Sequence, residues 1–152
     1  MMNTVFRSLW TGVLRPLFQR PPALQLAALC HRKTDAGKEV LLVSSSSGRW
    51  ILPKGWPIDG LTAGEAAAQE AWEEGGVKAS KVGEASMGSF FGRKTYNNGR
   101  SEPCETMVYK LKVADVANDF PEANRRERIW VSPSKAAELV DNAQLKSLLA
   151  KF

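Results

Sequence analysis

The chain has 152 residues, 43% hydrophobic and 24% charged, which suits one soluble globular domain with a sizeable core. No apolar run reaches the ~20 residues that cross a bilayer as a helix, and the net charge of +5 leans toward an anionic partner without demanding one. Cys30 and Cys104 lie in apolar, strand-like stretches without metal-ligand spacing, so the expectation is no disulfide, two reduced core thiols and a cytoplasmic protein. His31 is the single histidine, which leaves histidine triads and multi-histidine metal sites little to build on.

Residues 1–22 differ from the rest: they hold three arginines and no acid. Val5, Phe6, Leu9, Trp10, Val13, Leu14, Leu17 and Phe18 form a stripe of near-helical period, interrupted at Pro16. The spacing predicts an amphipathic basic helix, set off by Pro21-Pro22 from a domain over 23–152. Packing on the domain or on a second copy is the default use for such a stripe. A membrane surface and a mitochondrial targeting segment are the competing ones.

Residues 24–33 read as a strand, 34–38 as a turn, and 39–44 as its hairpin partner. A polar loop over 44–48 leads to a short strand over 49–52, and the two prolines of 53–57 then argue against regular structure. Thr62 and Glu65 have the spacing of a capping box, so a helix is expected from Ala63 to Glu74, stopped by Gly75-Gly76. Its alanines at 66, 67, 68 and 71 suit close packing on a sheet. Strands are expected over 82–96, 106–113 and 128–131. Helices are expected from Pro133 to about Val140 and over 143–149.

The chemistry concentrates at Glu70, Glu73 and Glu74. Positions i, i+3 and i+4 share a helix face, so three carboxylates crowd where repulsion would ordinarily forbid it. A hard divalent cation such as magnesium relieves the repulsion, because it takes oxygen ligands and bridges carboxylates to phosphates. The plain alternative is a solvated acidic face.

The stretch from Gly55 to Val77 resembles the Nudix box: Gly55 opens it, Glu70 is the glutamate of its central pair, and Glu73, Glu74, Gly76 and Val77 close it. Leu61 and Gln69 depart from the pattern, standing where a glutamate and an arginine belong. Losing acid and base together strands no buried charge, and Gln69 still carries an amide donor. The resemblance implies an α/β fold, a Nudix α/β/α sandwich with a mixed sheet between helices. It also implies a Mg2+- or Mn2+-dependent pyrophosphohydrolase. Glu70 and Glu74 would then hold the metal, with Glu73 as a further ligand or the proton acceptor, and Gly55 would add a main-chain carbonyl.

Phosphate-binding candidates flanking that helix are Arg32, Ser45, Ser46, Arg49, Lys54, Arg93 and Lys94, with Arg125, Arg126 and Arg128 as a further basic group. Over most of residues 24–141, VSSSSGRWILPKGW and GSFFGRK resemble the diphosphoinositol polyphosphate and diadenosine polyphosphate hydrolases. Those enzymes also carry basic residues at the start of the first strand, where this chain has Ala23-Leu24-Gln25. The expected partner is an anionic phosphorylated small molecule. The alternatives are a catalytically weakened ligand sensor and a pyrophosphohydrolase of RNA 5′ ends. The latter has only the basic charge in its favour, because no RNA-binding motif is recognisable.

Overall fold

In a computed structural model of the protein, residues 21–152 are described; the predicted N-terminal helix falls outside the described residues. The first strand, β1 (Ala23–Thr34), turns tightly into β2 (Gly37–Ser44), with Thr34 opposite Gly37. On its other edge β1 runs parallel to β7 (Ser101–Val116), in register from Ala23↔Cys104 to His31↔Lys112. A central strand of this kind is buried on both faces, which is why residues 24–30 are almost unbroken apolar sequence. β2 continues the sheet through β8 (Arg128–Val131) and β3 (Trp50–Ile51), both antiparallel to it.

Helix α1 (Ala63–Gly75) covers one face of this mixed eight-stranded sheet. There Ala66, Ala67 and Ala71 pack on Leu26, Ala28, Leu41 and Val43. The short helices α2 (Pro133–Leu139) and α3 (Ala143–Ala150) cover the other face, where Ala136, Leu145 and Leu149 meet Ala27, Leu29, Val40 and Leu42. Successive residues of β1 therefore alternate between two cores, as the pleat requires. The result is the expected α/β/α sandwich, with both cysteines free and buried.

Two local expectations are corrected. Lys54 and Gly55 form a two-residue strand, β4, antiparallel to β1 at Ala27 and Leu26. Pro53 and Pro57 lie outside the paired positions, and the Pro53 carbonyl accepts from Ala28 N–H at 2.9 Å. The single strand expected over 82–96 is instead two, β5 (Val77–Val82) and β6 (Gly88–Thr95). They lie in tandem along β7, which is why β7 is longer than its own alternation suggested.

Both ends of α1 follow local chemistry. Glu65 N–H donates to Thr62 Oγ1 at 3.2 Å, and Thr62 N–H donates to Glu65 Oε2 at 2.8 Å. At the other end Gly76 adopts φ 67°, and its N–H donates to Trp72 O. A Cβ there would stand 2.7 Å from the Ala117 carbonyl and 2.6 Å from Phe120. Gly76→Ala therefore adds a clash against backbone to a left-handed conformation that costs an L-residue about 1–2 kcal/mol. A denaturant titration should show a loss of at least that size.

Candidate active site

The carboxylates of α1 face the strands that α1 covers at their β4 end. Glu74 is nearly inaccessible, at 5% exposure. Its Oε2 accepts Lys54 N–H at 3.3 Å, and its Oε1 accepts Arg126 Nη2 at 2.9 Å. Burial pushes its carboxyl up to about 7; the Arg126 guanidinium and the Lys54 amide pull the other way, while Glu70 and Glu122 push up again. Glu70, half-buried, is also raised, first by burial and then by Glu73 and Glu122. Glu73 accepts the Gln69 amide at 2.9 Å, so the residue in the arginine position does act as a hydrogen-bond donor to this face. Leu61, by contrast, is 42% exposed.

Among the described residues, no three His, Cys, Asp or Glu side chains converge closely enough to ring an ion as they stand. The sequence had suggested that Glu70, Glu73 and Glu74 crowd together. They share the face, but Glu73 and Glu74 each turn to a donor on their own flank. The donor chemistry still suits a hard divalent ion. Glu70 presses its carboxylate against Gly55 so closely that a Cβ there would collide with it. The cradle joins main chain to carboxylate oxygen, and only glycine permits it. Gly55→Ala would force the flexible Glu70 tip aside rather than unfold the protein. The expected outcome is an unchanged melting temperature with magnesium affinity down by about tenfold or more, checked by a thermal scan beside titration calorimetry.

Next to Glu74 opens a cleft of about 220 Å³ lined by Gln25, Ser45, Ser46, Arg49, Lys54, Arg93, Lys94 and Arg126, among others. A neighbouring hollow of about 150 Å³ shares Arg49, Lys54 and Arg93 and runs toward Asn142. Five cations against one carboxylate give the main cleft a positive lining that suits an anion. Burial, with Lys94 and Arg49 nearby, lowers the Lys54 ammonium from its ordinary value. Ser45 Oγ accepts Arg49 N–H at 3.0 Å and Arg49 Nε donates to Ser47 at 3.1 Å, so the serine loop holds its arginine. Arg93 is bound to Ser101 through Nε at 2.7 Å.

Arg32 does not line either cavity. It pairs with Glu39 at 2.9 Å and stacks over Trp130 at 3.9 Å. The reason is its position: β1 meets the site at Gln25 and Leu26, and Arg32 lies at the far end of the strand.

The three arginines grouped by sequence have separate roles. Arg128 donates to the Gly75 and Ala117 carbonyls at 2.8 and 2.7 Å, closing the C-terminal end of α1. Arg125 is exposed and pairs with Glu122 at 3.3 Å. Arg126 alone enters the site, bridging Glu74, Glu122 and the Ser44 carbonyl. Glu122 and Gln25 escaped sequence reasoning. For Glu122 the available signal was its i,i+4 relation to Arg126; for Gln25 it was a polar residue inside an apolar strand.

The NUDIX domain family matches residues 23–152. Nudix hydrolase 12, mitochondrial, from Arabidopsis thaliana is 35% identical over 118 residues, which is 75% of this chain and 58% of that protein. Diphosphoinositol polyphosphate phosphohydrolase 3-beta from Homo sapiens is 34% identical over 118 residues, covering 75% and 66% respectively. This chain thus spans less than two thirds of either relative. Among solved structures, C. elegans Ap4A hydrolase superposes with a TM-score of 0.62 at 23% identity, over 87% of this chain and 96% of that one. The NUDIX domain of Shewanella oneidensis NrtR, complexed with ADP ribose, gives 0.64 at 16% identity, over 99% and 98%. With this fold, and with glutamates and glycine in the family's spacing, the chain belongs to the Nudix hydrolase family.

Proposed function

We propose that this protein is a metal-dependent pyrophosphohydrolase that cleaves a diphosphate bond in a polyphosphorylated small molecule, such as a diphosphoinositol polyphosphate or a diadenosine polyphosphate. The observation that carries the reading is the junction of the acidic face of α1 with a cleft of five cations at Glu74. Hydrolysis of a phosphoanhydride asks for neutralised phosphate charge, a positioned water and a proton acceptor.

The chain's own residues divide that work. Arg49, Lys54, Arg93 and Lys94 hold the phosphates, and Ser45 and Ser46 offer hydroxyls at the rim. Glu70 and Glu74, with the Gly55 carbonyl, would hold Mg2+ or Mn2+, which when bound neutralises phosphate oxygen charge and acidifies water. Glu73 is the carboxylate left on that face to take the water's proton. The polyphosphate classes named are supported by the 34% identity to the human diphosphoinositol relative and by the serine-loop and basic segments that line the cleft.

A second reading, a ligand sensor with weakened turnover, is favoured by one observation: Arg126 already holds Glu74. A panel of diadenosine polyphosphates, diphosphoinositol polyphosphates and triphosphorylated RNA, with magnesium or manganese, decides between them. Turnover by the parent that is lost in Glu70→Gln supports the hydrolase. Equal silence of both proteins with ligand still bound supports the sensor.

A further inference from the structure

On the sheet face opposite α1, past the end of α3, no described helix covers the strands, and lysines crowd together. Lys33 stands directly across from Lys38, and Lys81 across from Lys112. The parallel ladder puts His31 beside Lys112, with Lys110 two residues earlier on the same face. By the alternation of the pleat, all six side chains point to the side of Val40, Leu42 and Val108, away from the glutamate helix. They border a cleft of about 460 Å³. Along β1, His31 is about 20 Å from the Gln25 end that lines the acidic site.

Like charges directly opposite each other in a sheet are destabilising, and this face carries two such pairs. Ordinary surface lysines would find acids nearby. Here, among the described residues, no Asp or Glu side chain is in ion-pair contact with any of the five lysines, and Lys38 alone meets a main-chain oxygen, that of Phe152. The His31 imidazole is held below its ordinary value by burial and by Lys38, Lys110 and Lys112, so it too registers the surplus positive charge. The floor is not polar. The Phe152 ring meets His31 edge-on with centroids 5.3 Å apart. Lys38 lies over that ring at 4.0 Å while donating to the Phe152 main-chain oxygen at 2.8 Å.

An apolar aromatic floor under a rim of ammonium groups, in a concavity of small-molecule size, suits a compact ligand carrying several phosphates. A flat bilayer surface would reach the rim but not the floor. We propose that His31, Lys33, Lys38, Lys81, Lys110 and Lys112 form a second anion site, distinct from the glutamate cleft, for a soluble polyphosphorylated small molecule.

The single histidine makes the test local, since its imidazole proton resonances report this cleft and no other place in the chain. The full-length protein is titrated with tripolyphosphate in the presence of EDTA, and His31 is followed by NMR across pH. A saturable shift is expected, with the imidazole titrating at higher pH once the anion is bound. Replacing Lys110 and Lys112 by glutamine should weaken that response at least about tenfold, and ATP should compete for the same signal. The proposal is overturned if tripolyphosphate leaves His31 unmoved at millimolar concentration, or if the double variant responds like the parent. It is equally overturned if only phosphatidylglycerol vesicles produce the shift.

Discussion

Glu74→Gln is expected to lower phosphoanhydride hydrolysis on the order of 10³-fold or more while leaving the fold intact. The two donors that hold the carboxylate bond to different oxygens, so the glutamine carbonyl keeps Arg126 while its NH2 turns toward the Lys54 N–H. That costs one weak 3.3 Å bond, about 1 kcal/mol, which the fold tolerates. What disappears is a negative charge in a nearly closed position, where a cation is held best. Glu70→Gln should fall by a similar factor. The two variants should differ in their cation dependence. Glu74 lies against Arg126, and losing its charge leaves the guanidinium less neutralised beside the cleft, so substrate affinity in Glu74→Gln should hold or tighten. Glu70 has no such neighbour in hydrogen-bond contact, so its variant should show weaker magnesium activation with substrate affinity little altered. Initial rates over a matrix of magnesium and substrate concentrations separate the two patterns. Retention of more than a tenth of parental turnover in both variants would remove the glutamates from the reaction.

The part of this site that is legible in sequence is the part built by one short segment. Thr62, Glu65 and Gly76 specify where α1 begins and ends through contacts within a turn, and the spacing of Glu70, Glu73 and Glu74 then places them on one face. Ser45, Arg49, Lys54 and Arg93 were also readable as candidates, because each lies near a strand end whose position the hydrophobic pattern indicates, although Lys54 and Arg93 turn out to sit within strands. Arg126 was readable only as one of three basic neighbours. Its partner Glu74 is 52 residues away, and no local rule distinguishes it from Arg128, which serves the end of the helix instead. Arg32 shows the converse failure. A basic residue at a strand end looks like a phosphate ligand until the pairing of Leu26 with Gly55 shows which end of β1 meets the site. Lys54-Gly55 as a strand was hidden for a similar reason: two residues between prolines carry no periodicity, and only the neighbouring β1 makes them a ladder.

Arg126→Met should cost about 3 kcal/mol of stability near pH 8 in EDTA and far less near pH 5. Arg126 and Glu74 are both largely buried, with side-chain exposures of 15% and 7%, so removing the guanidinium leaves a carboxylate with little water to turn to. The sign follows from the direction of the Glu74 shift. Its folded value, about 7, lies above the ordinary 4.5. Between those values the folded protein retains a proton that the unfolded chain has released. The parent therefore loses stability as pH rises through this interval and levels off above it. Without Arg126 the folded value climbs further, and the decline continues to higher pH. Below the interval both proteins carry a neutral Glu74, and the remaining difference is the lost hydrogen bond to the Ser44 carbonyl and the longer 3.4 Å contact with Glu122, together about 1–1.5 kcal/mol. Urea denaturation at the two pH values reads this divergence directly. Magnesium added near pH 8 should then stabilise Arg126→Met more than the parent, because an ion at Glu70 and Glu74 replaces the missing positive charge. An equal magnesium effect on both proteins would mean that the ion does not sit at Glu74, and the assignment of that carboxylate as a ligand would have to be given up.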